Sequence, residues 1–190
     1  MFNPTTMQGL DGTFDETEKR MDMHGLLAST PRVSLSGLSI ADLLGTHSFV
    51  IEELQRRGVL RTGNNPTGDY AEWLVSSKLG LELAGKSSKG YDAIDTQKIR
   101  YEIKARRVTP DNPSTQMSPI RDLAGAHFDF LIAVVFDNSW KVIAAAKIPH
   151  SIIPAVASFR QHVNGHVMHL RPPLFAVAGV VDVTALLRDS

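Results

Sequence analysis

The sequence predicts an α/β domain in which helices flank a mixed central sheet, preceded by a polar N-terminal arm. Three observations predict it. Apolar residues recur at helical spacing through residues 40–79, two short strand-like segments joined by a polar turn follow over 90–105, and an unbroken apolar run, Phe128 to Phe136, marks a buried strand. Helices, then strands, then a closing helical stretch is the order of a layered α/β fold. At 190 residues and 43% hydrophobic content, the chain suits one domain with a real core rather than two.

Residues 1–36 contain glycine, threonine and serine with the acidic cluster Asp11, Asp15, Glu16 and Glu18 and little periodicity, which predicts a flexible arm or partner-binding segment. The domain is expected over 37–190. From Ile40, the residues Leu43, Leu44, His47, Val50, Ile51 and Leu54 repeat at helical spacing and stop before Gly58. This predicts an amphipathic helix whose apolar face packs on the core, or forms an interface with a second copy. Turn formers fill Arg61 to Gly68, and a second helix is expected from Asp69 to Leu79, with Ala71, Leu74, Val75 and Leu79 inward.

The segments Gly90-Tyr91-Asp92-Ala93-Ile94 and Tyr101-Glu102-Ile103-Lys104-Ala105 follow, joined by a turn through Gln97. In the second, alternation places Tyr101, Ile103 and Ala105 on one face and Glu102 and Lys104 on the other. A turn centred on Gln97 sets Asp92 opposite Glu102. Directly opposed like charges destabilise an antiparallel pair, so a compensating cation is expected there. One or two carboxylates, completed by water and substrate phosphate, are what Mg²⁺ prefers.

A long polar connection from Val108 to Ser118 leads to the strand Phe128–Phe136, and Asp137-Asn138-Ser139 turns into a further strand from Trp140 to Lys147. A helix is expected from Pro149 to about Phe159, a strand near Val167 to Leu170, and a short helix from Val181 to Leu187 capped by Asp182. His162, Asn164 and His166 alternate, and His169 follows, a spacing that raises the question of a metal site. Exposed loop or edge histidines are the preferred reading.

A formal net charge of zero excludes recognition by global electrostatics. Local patches must do it. Lys98, Arg100, Lys104, Arg106 and Arg107 face one acid, Glu102, within 97–107, an excess of four positive charges suited to phosphate contacts or to a charge-protected sheet edge. Ser114, Gln116 and Arg121 are candidates for base edges. The absence of cysteine excludes disulfide frameworks and cysteine-bearing zinc sites. No apolar run approaches the roughly 20 residues of a membrane span, and no signal-peptide core is present, so a cytoplasmic protein is expected.

A helix with Glu72, then Asp92 in one strand, Glu102-Ile103-Lys104 in the next, a basic polar connection and a buried third strand together resemble the restriction-endonuclease-like superfamily, the PD-(D/E)xK nucleases. The resemblance covers residues 66–147, and Tyr91 stands where the motif often has proline. It implies hydrolysis of phosphodiester bonds in double-stranded DNA, often by a homodimer, as in restriction or defence nucleases. It also implies Mg²⁺, with Mn²⁺ as a substitute, held by Asp92, Glu102 and the Ile103 carbonyl. Lys104 would orient the attacking water and stabilise developing charge. Glu72 would add an outer ligand, although its spacing from Asp69 equally fits a capping box. A module with the same fold that binds nucleic acid without cleaving it is the alternative, motivated by the neutral net charge and the acidic arm.

Overall fold

The computed structural model describes residues 34–85 and 90–188. The expected arm therefore lies outside the described residues, apart from its last three. The chain divides into two units, 1–44 and 45–190. Helix α1 (Ile40–Arg56) crosses that division. Ser39 opens it: its Oγ accepts from the Asp42 amide at 3.2 Å and donates to the Asp42 carboxylate at 2.6 Å. Core packing was the expectation for its apolar face, and the structure corrects it. No residue of α1 is buried, and Phe49 and Val50 are exposed.

In the second unit, helix α2 (Thr67–Leu79) starts two residues before the expected Asp69. Asp69 does not form the capping box, because its Oδ2 instead ties down the preceding loop. It accepts from the amides of Arg61 (2.8 Å) and Thr62 (2.7 Å) and from the Thr62 hydroxyl (3.0 Å). Asp69→Ala strands two amides at this half-buried position, and is expected to cost about 1–3 kcal/mol in urea denaturation. Gly80, at φ 65°, ends α2 in the left-handed conformation, and the Leu81 amide returns to the Ser76 carbonyl at 2.9 Å.

The sheet runs β1 (Glu82–Leu83), β2 (Ala93–Ile94), β3 (Arg100–Arg107), β4 (Phe130–Phe136), β5 (Val142–Pro149) and β8 (Val181–Asp182) in spatial order. All neighbours are antiparallel except β3 and β4. The architecture is thus a mixed α/β one with a mostly antiparallel six-stranded sheet. Both edge strands are only two residues long, which limits pairing with other chains.

One face of the sheet holds Tyr101, Ile103, Ile132, Val134 and Phe136 against Ala71, Leu74 and Val75 of α2 and Leu187 of α4 (Thr184–Leu187). The other holds Leu131, Ala133, Val135, Ala146 and Ile148 against Met117, Ile120, Leu123 and Phe128. The last four belong to the connection between β3 and β4. Parallel neighbours need a long crossover, and here irregular chain with one 3₁₀ turn, Leu123–Gly125, supplies it. The long segment expected from its polarity is therefore required by topology and anchored by its few apolar residues.

Three later expectations are also corrected. Pro149–Phe159 is not one helix: a 3₁₀ turn at His150–Ile152 and helix α3 (Ile153–Val156) give way to strand β6 (Ser158–Arg160). Its partner β7 is Gly165–Val167, earlier than the Val167–Leu170 expected. Val181–Leu187 splits into β8 and α4, and the Asp182 carboxylate accepts from the Thr184 amide at 2.8 Å, at the helix start where a cap was expected. In each case a short apolar segment found partners that periodicity cannot specify.

Candidate functional site

The β2–β3 ladder pairs Ala93 with Tyr101 and Ile94 with Arg100, which is the register centred on Gln97. Asp95 holds the turn, its Oδ1 accepting from the amides of Gln97 (2.8 Å) and Ile99 (2.9 Å), while Lys98 takes a left-handed φ of 66°. One residue beyond the ladder, the Asp92 amide donates to the Tyr101 carbonyl at 2.8 Å. The Asp92 Oδ2 accepts from the Ile103 amide at 2.7 Å. Backbone thus fixes this carboxylate beside β3.

On β3, Tyr101 and Ile103 enter the core and Glu102 and Lys104 take the opposite face. The Lys104 Nζ lies 2.5 Å from the Glu102 Oε1, and both side chains are largely covered, at 20% and 15% exposure. Burial pushes the Glu102 carboxyl above its ordinary pKa, the neighbouring Asp92 charge pushes it further, and Lys104 pulls it partly back. Burial likewise raises Asp92, against the Ile103 amide and the charges of Lys104 and Arg61. Two largely covered carboxyls, Glu102 raised further by the charge of Asp92, with one lysine beside them, form the centre of the site.

Such carboxyls hold protons more tightly in the folded state than in the unfolded one. Their contribution to stability is complete below the unfolded pKa and is lost as pH rises through the folded value. With divalent cations chelated, Glu102→Gln is expected to be more stable than wild type at neutral pH. The difference should shrink on acidification through the carboxylate range, as denaturant midpoints between about pH 4 and pH 8 would show.

Glu72 goes elsewhere than the sequence suggests. Its Oε2 is bound by the Arg61 guanidinium, which also donates to the Ala84 carbonyl at 3.0 Å. Glu72 is thus not presented as a free third carboxylate, and no group of three or more histidines or acids able to hold a metal occurs among the described residues. Arg61 was missed because its sequence neighbours are turn formers and its partner lies in the next helix.

The other sequence candidates separate. Arg100 clamps Asp129 with its amide (2.8 Å), Nε (3.1 Å) and Nη2 (2.9 Å). Arg107 sits 4.6 Å over the Trp140 ring and donates to the Asn138 carbonyl at 2.7 Å, so structural contacts occupy it too. Arg106 donates to the Ser114 carbonyl at 3.2 Å and still lines a cavity together with Gln116. Lys98, Gln116 and Arg121 are exposed, and the Ser114 hydroxyl accepts from the Gln116 amide. His162, Asn164 and His166 do not share a strand face, because Gln161–Val163 is a 3₁₀ turn and Asn164 has φ 46°.

No protein-family model matches the chain, and no curated protein matches it.

Proposed function

We propose that the protein is a Mg²⁺-dependent DNA endonuclease with a restriction-endonuclease-like fold. The observation that carries this reading is the juxtaposition of Asp92, Glu102 and Lys104 across the β2–β3 hairpin, with burial raising both carboxyls and the Asp92 charge raising Glu102 further. Buried like charges are costly unless a counter-charge is present. Lys104 supplies one positive charge, and a divalent cation would supply the rest.

The donor set fits Mg²⁺ in its usual role, since that ion keeps several waters and takes few carboxylates. Asp92 and Glu102 would hold it, with the Ile103 carbonyl as the backbone donor. Bound there, it would act as a Lewis acid and lower the pKa of a coordinated water. Because Lys104 sits beside Glu102, its ammonium would orient the attacking water and donate to the phosphoryl oxygens as charge builds on them. The new bond would form between the water oxygen and phosphorus as the ester bond to the leaving oxygen breaks, and the proton given up by the attacking water would pass, through solvent, to that leaving oxygen. Glu72, held by Arg61, would act from outside the ligand set, and Arg61 would brace the hairpin side through Ala84.

Plasmid and linear duplex DNA incubated with Mg²⁺, Mn²⁺ or EDTA test the reading, with Asp92→Asn as the control. Metal-dependent cleavage by wild type and its loss in the variant are expected. Equal cleavage by both proteins rejects the assigned site. Salt-sensitive binding that persists in EDTA, with no cleavage under any metal, would instead support a silent binding module.

A further inference from the structure

A groove on the carboxylate face of the sheet is unexplained by the site itself. Two concavities of about 360 Å³ and about 350 Å³ adjoin there and share Gln116, Arg160 and Val167 in their walls. Arg106 and His162 line one, and His169 and Arg171 the other. No carboxylate lines either concavity among the described residues. In a chain of zero net charge, three arginines without an acid form a one-signed patch.

The folding of the chain creates this patch. Arg106 comes from β3, Gln116 from the crossover, Arg160 and His162 from the β6–β7 hairpin, and His169 and Arg171 from the segment after it. The Ile120–His166 bridge fastens the crossover to that hairpin, and the Gln116–His169 bridge fastens it to the segment after it. Arg160 and Arg171 remain available: both are exposed, and neither forms an ion pair with an acid among the described residues. The Arg171 Nη2 donates to the His169 Nδ1 at 3.4 Å, and burial and Arg171 hold His169 below its usual pKa.

Position relates the groove to the carboxylates. Glu102, Lys104 and Arg106 alternate along one face of β3, so Arg106 stands roughly 13 Å along the strand from Glu102. The groove begins where that row ends. Guanidinium forks suit phosphate oxygens, and contacts of this kind position a nucleic-acid backbone without reading its sequence.

We propose that the groove bounded by Arg106, Arg160 and Arg171 holds the sugar–phosphate backbone of the DNA running through the hairpin site. The inference rests on the nuclease reading, since that reading supplies the polyanionic ligand. Arg160 and Arg171 are the principal phosphate contacts. Neither stood among the sequence candidates, because they lie more than 50 residues from the motif.

Binding without catalysis tests it. Fluorescence anisotropy of a labelled DNA duplex in EDTA is followed over a salt series for wild type, Arg160→Ala/Arg171→Ala, Arg160→Lys/Arg171→Lys and, as a surface control, Arg56→Ala/Arg57→Ala. Each lost phosphate contact lowers the slope of log affinity against log salt by roughly 0.9, so the groove variant is expected to lose about two units and bind at least about tenfold more weakly at low salt. The lysine variant should keep most of the slope, and the control should match wild type. Circular dichroism verifies folding of each protein. An unchanged slope in the groove variant, an equal fall in the control, or no binding by wild type overturns the proposal. Groove-dependent binding without cleavage under any metal would defeat the nuclease reading alone, whereas cleavage with an unchanged slope would defeat the groove alone.

Discussion

Under the proposed nuclease reading, Lys104→Ala is expected to lower the rate of DNA cleavage by roughly 10²–10³-fold, the usual loss when one preorganised donor to the developing charge is removed. Its affinity for DNA should change far less. Lys104 lies 2.5 Å from Glu102 on the face of β3 that also carries Arg106, and it is only 20% exposed. In that role its ammonium would act where water is largely excluded, and charge interactions there exceed those on the surface. A purely structural role would lower stability and activity together. Under the assigned role, single-turnover rates at saturating DNA fall while the anisotropy affinity in EDTA stays within about threefold of wild type. Matched losses in melting temperature and rate, with Lys104→Gln restoring both, would count against a role in the reaction.

Phe136→Ala is expected to be the most destabilising single change, at about 3–5 kcal/mol. Phe136 ends β4, is fully buried, and meets Tyr70 of α2 at 5.1 Å and Trp140 at 6.2 Å between ring centroids. Truncation would remove the ring joining α2 to the sheet and leave a cavity that the flanking aromatics cannot collapse into without leaving their own contacts. For a protein of this size, that loss corresponds to a fall in melting temperature of roughly 6–20 °C. Differential scanning calorimetry would measure it. A fall of only a degree or two would mean that Tyr70 and Trp140 close the gap.

These two outcomes concern different layers. The first tests chemistry assigned to a hairpin face, and the second tests the packing that holds α2 against that hairpin. They are coupled through Arg61, which binds Glu72 of α2 and the carbonyl of Ala84 beside β1. Loosening α2 is thus expected to disturb Asp92 at a distance, because Ala84 also donates its amide to the Asp92 carbonyl at 2.8 Å.

The hairpin was legible in the sequence because its signals are local. Asp95 and Gln97 specify the turn, alternation assigns Tyr101 and Ile103 to the core, and a side-chain period of two then places Glu102 and Lys104 together. The buried strand at β4 and the helix at α2 were legible for the same reason, through run length and helical spacing. By itself the sequence determined these elements, the register about Gln97 and the chemical character of the site. Tertiary structure alone decided which charges remain available to a ligand. Arg100 and Glu72 look equivalent to Arg106 and Glu102 along the chain, yet Asp129 and Arg61 occupy them, and Arg160 and Arg171 join the carboxylate face from the distant β6–β7 hairpin and the segment after it. Ion pairing and groove formation depend on side chains brought together across long sequence separations, and no local periodicity encodes which of them will meet.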